Sequence, residues 1–182
     1  MTTHRVSKPL PEGSPRLVLG HGASGTAASM APHVAGLRAR GIDAAAIELP
    51  RGRTDAAVAR FVELLAADPH LAVGGHSFGG RMASLAAAGQ PARALVLLSY
   101  PLHAPGRQAD WAARTDHWPA IACPVLLLSG ESDPFARIDL LQEAARRLPV
   151  ARLVTWPRLG HGLGPVLDEA LDLVAAFVRN PG

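Results

Sequence analysis

Leu71-Ala-Val-Gly-Gly-His-Ser-Phe-Gly-Gly80 is the stretch around which the rest of this 182-residue chain is interpreted. An apolar run ends in two glycines, a serine follows, and helix-forming residues begin at Arg81. Gly75-His-Ser-Phe-Gly79 matches Gly-x-Ser-x-Gly, in which a strand turns at once into a helix and holds a serine at the turn, a nucleophile elbow. Glycines permit the strained backbone that such a turn needs. We therefore predict a buried strand, a presented Ser77 and a helix beginning there.

Apolar runs alternate with helical patterns along the whole chain. We predict strands over residues 16–20, 43–49, 71–75, 92–99, 124–129 and 152–156. We predict helices over residues 27–40, 54–67, 81–88, 137–148 and 165–179, with a short one near 110–114. This alternation implies an α/β fold, with about six mostly parallel strands and helices on both faces. We expect an N-terminal tail over residues 1–15 and a single domain over 16–182.

Composition excludes several classes of function. The net charge is only +3, and the basic residues are scattered singly or in pairs, so we expect no nucleic-acid partner. No run approaches the roughly 18 apolar residues of a membrane helix, and the N-terminus lacks a signal-peptide core. The single cysteine, Cys123, excludes an internal disulfide and a cysteine-based zinc cluster, and we expect it to be a buried small apolar residue. A cytoplasmic location follows as the default, and the oligomeric state stays open.

A serine becomes a nucleophile only beside a base, and that base needs an orienting acid. The loops after the fifth and sixth predicted strands carry Asp133 and His161, and the carboxyl ends of parallel strands are where ligands bind. We therefore predict Ser77 as nucleophile, Asp133 as acid and His161 as base, the chain order of the α/β-hydrolase arrangement. Glycines flanking His161 favour a mobile or tightly turned loop. A solvated loop histidine is the alternative.

Other acids compete with Asp133. Glu131 lies in the same loop, and Asp110 or Asp116 after the fourth strand would be substitutes. Asp133 is favoured because its shorter carboxylate precedes Pro134 at a turn, where it is also expected to cap the following helix. A purely capping aspartate is the structural alternative.

The glycine-rich turn His21-Gly-Ala-Ser-Gly25 is predicted to complete an oxyanion hole. Its donors would be the backbone N–H groups of Phe78 and Ala23. The same turn also satisfies Gly-x-Gly-x-x-Gly, with Asp43 or Glu48 about 20 residues on, as in a dinucleotide-binding fold. That alternative explains neither the elbow nor the loops of Asp133 and His161.

The remaining histidines have weaker assignments. His76 is interpreted as a packing or supporting residue, whereas His103 and His117 are candidates for the pocket wall, with structural roles equally open. His21, Ser24 and Tyr100 are further candidates for the pocket. No cluster of histidines and acids has metal-ligand spacing, so we expect no metal and no cofactor.

Over nearly its whole length the chain resembles the α/β-hydrolase superfamily. It is also similar to a small-hydrolase subfamily that includes a testis-expressed protein and a subunit of a nuclear histone-acetyltransferase complex. The matching stretches are residues 21–25, 75–84, 98–107, 114–117 and 129–135, of which Tyr100-Pro-Leu-His103 is the most specific. The resemblance implies Ser77, Asp133 and His161 as nucleophile, acid and base.

Two departures from full-size relatives shape the expected site. Residues 1–15 leave no room for the two further N-terminal strands of larger members. Only about two dozen residues follow the fourth strand, where a lid domain is usually inserted. We therefore expect a minimal fold without a lid, and a shallow site for small or exposed acyl esters and thioesters. An acyltransferase with the same residues, or a non-catalytic protein-interaction module, are the alternatives.

Overall fold

Six parallel strands form one sheet in the order β2-β1-β3-β4-β5-β6. The computed structural model describes residues 13–182, so most of the predicted tail, residues 1–12, lies outside the described residues. The strands are β1 Arg16–Gly20, β2 Asp43–Ile47, β3 Ala72–His76, β4 Ala94–Leu98, β5 Val125–Gly130 and β6 Ala151–Trp156. Parallel pairing throughout confirms the predicted α/β fold class.

Helices cover both faces of the sheet. They are α1 Ala31–Ala39, α2 Thr54–Ala67, α3 Phe78–Ala87, α4 Ile138–Ala145 and α5 Leu167–Arg179. One buried cluster contains side chains of α2, α3 and α4, and a second contains those of α1 and α5. Along β4, Leu95 and Leu97 belong to the first cluster, whereas Val96 and Leu98 belong to the second. Successive strand residues point to opposite faces, so a strand buried on both sides is apolar throughout.

The predicted helix over residues 27–40 divides in two. A 3₁₀ turn, Ala27–Met30, precedes α1, which carries Pro32 in its first turn. Proline has no backbone N–H, so it fits a first helical turn and not a helix interior. The prediction of a single helix was therefore wrong, and the helix predicted near residues 110–114 is likewise a 3₁₀ turn, Gln108–Trp111.

The connection between β4 and β5 packs into the core instead of rising over the sheet. It has two short 3₁₀ turns, and Tyr100, Leu102, Trp118 and Ile121 are buried in the cluster beneath α3. The expected fold without a lid is confirmed, and the carboxyl edge of the sheet stays uncovered by an inserted domain. Within residues 13–182, no helix has the length and apolarity needed to cross a membrane.

Candidate active site

Ser77 occupies the strained turn that the glycine pattern predicts. Its φ is 51° and its ψ is −114°, a positive φ that costs a non-glycine residue about 1–3 kcal/mol. The surroundings hold this conformation through two backbone hydrogen bonds. The Ser77 N–H donates to the Leu98 carbonyl at 2.8 Å, and the Ser77 carbonyl accepts from the Arg81 N–H at 3.1 Å.

Close backbone packing explains the glycines on both sides of the serine. A Cβ atom added to Gly79 would lie 2.3 Å from the carbonyl carbon and oxygen of Gly20. A Cβ atom on Gly75 would lie 2.4 Å from the same oxygen. The start of α3 therefore presses against the end of β1, which places Ser77 beside the turn that follows β1.

His161 joins the serine to a carboxylate. Its Nε2 lies 2.8 Å from Ser77 Oγ, and its Nδ1 lies 2.8 Å from Asp133 Oδ2. An Nδ1–H that donates to the carboxylate leaves Nε2 free to accept the serine proton. The structure brings together the predicted nucleophile, acid and base.

Both carboxylate oxygens of Asp133 have partners. Its side chain is fully buried, Oδ2 faces His161, and Oδ1 accepts the Phe135 N–H at 2.8 Å. The expectation that Asp133 caps the next helix was wrong, since α4 begins at Ile138 with Arg137 as its N-cap. Asp133 instead forms a turn with its own loop, which aims the second oxygen at the imidazole.

The competing acids point elsewhere. Glu131 accepts a hydrogen bond from the Thr155 hydroxyl at 2.9 Å. Asp110 pairs with Arg107 at 2.9 Å, and Asp116 lies 3.2 Å from an Arg147 nitrogen. Asp133 is the acid that contacts His161.

The loop that carries His161 is fixed through its backbone. Ser132 N–H donates to the Leu159 carbonyl at 2.9 Å, which ties this loop to that of Asp133. The Phe135 ring lies 4.5 Å from the His161 ring. Gly160 and Gly162 have negative φ and open space where a Cβ atom would be, so neither requires glycine. The left-handed backbone of this loop occurs at Arg158, with φ of 59°, and at neither glycine.

His76 supports the base from the elbow itself. Its Nε2 lies 3.0 Å from the His161 carbonyl oxygen, to which it donates. Burial lowers the pKa of His76, so a neutral ring is favoured. The supporting role predicted for His76 agrees with this geometry.

Phe78 follows the serine directly, and the turn that carries Ala23 approaches the serine through Gly22. Phe78 is the first residue of α3, where a backbone N–H has no acceptor within the helix. Ala23 is exposed in the turn after β1, next to Gly22. A Cβ atom on Gly22 would lie 3.9 Å from Ser77 Cβ. The turn is closed by the Gly25 N–H, which donates to the Gly22 carbonyl at 2.9 Å.

The dinucleotide alternative fails at this same turn. Glu48 Oε2 accepts the Ala27 N–H at 2.8 Å, so a carboxylate already lies at the helix start that would face a pyrophosphate. Asp43 begins β2 at the amino end of the strands, away from the glycine turn, where it lies 3.8 Å from Arg16. Glu48 Oε1 also lies 3.2 Å from His21 Nε2, so both oxygens of this carboxylate already have partners at the turn.

Two histidines predicted for the pocket are instead bound inside the protein. His21 is 1% exposed, its Nδ1 lies 2.8 Å from the Gly22 carbonyl, and its Nε2 accepts the Leu49 N–H at 3.0 Å. His103 is also 1% exposed, with Nδ1 on the Ala104 carbonyl and Nε2 accepting the Arg137 N–H. Each ring links two loops through backbone groups, which favours a structural role.

The other two pocket candidates differ from each other. Tyr100 is buried, and its hydroxyl donates to the Arg114 carbonyl at 2.7 Å. Burial raises the pKa of Tyr100. Ser24 is exposed in the turn beside Ala23, so only Ser24 faces solvent near the elbow.

Sequence reasoning gave no role to Ser84 or Arg81, two polar residues of α3. Ser84 and His117 form a 2.8 Å hydrogen bond beneath the connection that follows β4. Arg81, one turn after the serine, has a buried Nε without a hydrogen-bond partner among residues 13–182. A charged residue inside the otherwise small and apolar start of α3 was the available signal.

Cys123 and metal ligation take no part in this site. The thiol is buried, and burial raises the pKa of Cys123 to about 11, so it stays protonated at neutral pH. In the described part of the chain, no three histidines, cysteines or acids are grouped so as to hold a metal ion.

Comparisons with known proteins agree with the fold. The family model described as "Alpha/beta hydrolase domain" matches residues 13–166. No curated protein matches the sequence. A solved monoacylglycerol lipase from Paleococcus ferrophilus is 13% identical, with a TM-score of 0.79 and coverage of 92% of this chain and 95% of the lipase.

Two further solved structures are similar. A dienelactone hydrolase from Anabaena variabilis is 22% identical, with a TM-score of 0.75 and coverage of 93% of this chain and 88% of that one. The thioesterase domain from the curacin biosynthetic pathway is 15% identical, with a TM-score of 0.71 and coverage of 94% and 93%. At these identities the likeness shows the fold.

Proposed function

The chain belongs to the alpha/beta hydrolase domain family, and we propose that it is a serine hydrolase of small or exposed carboxylic esters and thioesters. One observation carries the proposal: His161 lies within 2.8 Å of both Ser77 Oγ and Asp133 Oδ2. That arrangement provides a nucleophile, a base and an orienting acid.

In the first half of the reaction, Ser77 Oγ attacks the acyl carbonyl while His161 Nε2 takes the hydroxyl proton. Asp133 holds the ring with Nδ1–H toward the carboxylate and stabilises the imidazolium that forms. The N–H groups of Phe78 and Ala23 donate to the oxyanion. Collapse of the tetrahedral intermediate breaks the bond to the leaving alcohol or thiol, which takes the proton from His161, and leaves an acyl-serine.

Water completes the cycle. His161 takes a proton from a water molecule, and the resulting hydroxide attacks the acyl-serine carbonyl. The second tetrahedral intermediate expels Ser77 Oγ, which recovers its proton from His161, and the carboxylic acid leaves. The uncovered edge of the sheet favours substrates whose ester is short or exposed, because no inserted domain encloses a long acyl chain.

The finer assignments belong to the same proposal. Similarity to the small-hydrolase subfamily rests on five matching stretches, of which Tyr100-Pro-Leu-His103 is the most specific, and the proposed cytoplasmic location rests on composition. An acyltransferase would use the same acyl-serine with an acceptor other than water. Adding alcohol and thiol acceptors to the reaction separates the two, since transfer yields new esters where hydrolysis yields free acid.

The test is hydrolysis of p-nitrophenyl and thioester substrates of graded acyl length by the purified protein and by Ser77→Ala. We expect turnover of the short acyl groups by the wild type and none above background by the variant. A folded wild-type protein that turns over no member of the panel would contradict the proposal and favour a protein-interaction module. Ser14→Ala, at the other end of β1, is a matched serine substitution that should retain activity.

A further inference from the structure

Within residues 13–182, Arg81 is a half-buried cation without a counterion. Its Nε is buried and has no hydrogen-bond partner among the described residues, and no carboxylate of residues 13–182 lies within ion-pair distance of it. Removing a charged group from water without pairing it is costly. A ligand that carries a negative charge would offset that cost.

The other arginines show how unusual this is. Those that are partly buried all have partners: Arg40 binds Asp168 and Asp172, and Arg147 lies beside Asp116. Arg93 and Arg114 donate to backbone carbonyls. In the described part of the chain, the arginines without a hydrogen bond or ion pair are otherwise exposed, so water solvates them.

Arg81 lies one helical turn after the reacting serine. Its backbone N–H donates to the Ser77 carbonyl, so the two residues are one helical turn apart. Long helical side chains lean toward the helix N-terminus, which for α3 is Ser77.

Two titratable groups near Arg81, Tyr100 and His117, are neutral at neutral pH. Burial raises the pKa of Tyr100, and the charge of Arg81 opposes that rise. Burial, followed by the charge of Arg81, lowers the pKa of His117 to about 4. A protonated phenol and a neutral imidazole therefore lie near the guanidinium, and neither satisfies it as an anion would.

We infer that Arg81 is a specificity-determining residue that binds a carboxylate carried by the substrate, so that the preferred substrates are half-esters or half-thioesters of dicarboxylic acids. The planar guanidinium accepts a carboxylate through two parallel hydrogen bonds. The inference rests on the proposed function, since Ser77 would attack the ester end while Arg81 holds the acid end.

The kinetic test compares monomethyl esters of succinic, glutaric and adipic acid with neutral methyl esters in which an isopropyl group replaces the carboxylate. Methanol release gives kcat and KM for both series. We expect the wild type to prefer the best half-ester by tenfold or more in kcat/KM. Arg81→Met should reduce that preference by about 10–100-fold, mainly through KM, which is the range of a hydrogen bond to a charged group. Arg81→Lys should fall between.

Arg60→Met is the matched control, because Arg60 is exposed on α2 and pairs with Glu63 at 3.7 Å. It should keep the wild-type preference. Absence of a preference in the wild type at every chain length would overturn the inference. So would an equal loss toward both series in Arg81→Met, because that result indicates a structural role.

A binding test separates this inference from the failure of catalysis. Dicarboxylates that bind the native state raise its Tm. In the inactive Ser77→Ala background, we expect glutarate or adipate to raise Tm, and Arg81→Met to remove that shift without lowering the Tm of the free protein. If the esters are not hydrolysed, the proposed function fails while this test still decides the role of Arg81. No dicarboxylate-dependent shift in Ser77→Ala would contradict the inference.

Discussion

His161 and His103 lie at the same edge of the sheet, and each uses both ring nitrogens, yet their partners differ in kind. His161 is bound by two side chains, Ser77 and Asp133, and its own side chain is 23% exposed. His103 is bound by two backbone groups and is 1% exposed, as is His21. A histidine held by side chains beside solvent can exchange protons with a substrate. One held by backbone groups inside the protein links loops.

We expect the largest effect from a substitution that breaks the side-chain arrangement around His161. Asp133→Asn keeps the shape of the loop but replaces the carboxylate that fixes the imidazole tautomer. We expect kcat on a short p-nitrophenyl ester to fall by about 10⁴, as in other serine triads. Glu131→Gln, in the same loop, is the control and should stay within tenfold of the wild type. Near-normal activity of Asp133→Asn would place the acid elsewhere.

Sequence predicted the edge of the sheet well because strand ends are encoded locally. Apolar runs and glycine turns marked all six strands, and the loops after β3, β5 and β6 carry the serine, acid and histidine that meet in space. What it could not predict was the direction of a side chain within a loop. His103 lies in the loop after β4, just as His161 lies in the loop after β6. The sequence therefore does not distinguish their roles, which depend on tertiary packing.

The features that the sequence did not predict also depend on tertiary packing. Asp133 was expected to cap a helix, whereas α4 begins later, at Ile138. The left-handed residue of the His161 loop is Arg158, which no sequence pattern indicated. Arg81 received no role, because an unpaired charge becomes visible only once every neighbouring acid has been placed.

A second prediction concerns the backbone-bound histidine. His103→Ala leaves the Arg137 N–H without its acceptor and empties a buried site, so we expect the free energy of unfolding to fall by about 2–4 kcal/mol. Chemical denaturation measures this change, and kcat of the folded fraction should stay within tenfold of the wild type. His70→Ala, at an exposed position, is the control. A loss of activity as large as that of Asp133→Asn would show that the two histidines are not distinct in role.

A third prediction uses pH to sharpen the comparison. The folded pKa of His117, about 4, lies below its ordinary 6.5, so its contribution to stability is present above pH 6.5 and is lost as pH falls through 4. His117→Gln retains a donor for Ser84 but does not titrate. Between pH 7 and pH 4.5, the wild type should lose about 1 kcal/mol more than this variant, since solvent at the partly exposed ring screens the shift. Equal losses of stability in the wild type and in His117→Gln, measured by urea denaturation at the two pH values, would refute a neutral His117.

We expect the smallest effect from Gly160→Ala, a substitution in the loop of His161. An alanine at Gly160 meets open space and an allowed backbone, so stability should change by less than 1 kcal/mol and activity by less than threefold. Gly130→Ala is the contrast, because its Cβ atom would lie 2.1 Å from the Leu159 carbonyl oxygen. Thermal unfolding and ester hydrolysis of the two variants measure both quantities. A severe defect in Gly160→Ala would mean that this loop needs a conformation that the structure does not have.

The central claim is that Ser77, activated by His161, attacks acyl carbonyls. A fluorophosphonate probe forms a covalent bond with such a serine, and mass spectrometry of the labelled peptides identifies the modified residue. We predict a single adduct on Ser77 in the wild type, labelled at least a hundredfold more slowly in His161→Ala and at the normal rate in His103→Ala. An adduct on another residue, or no adduct on the folded wild-type protein, would contradict the account.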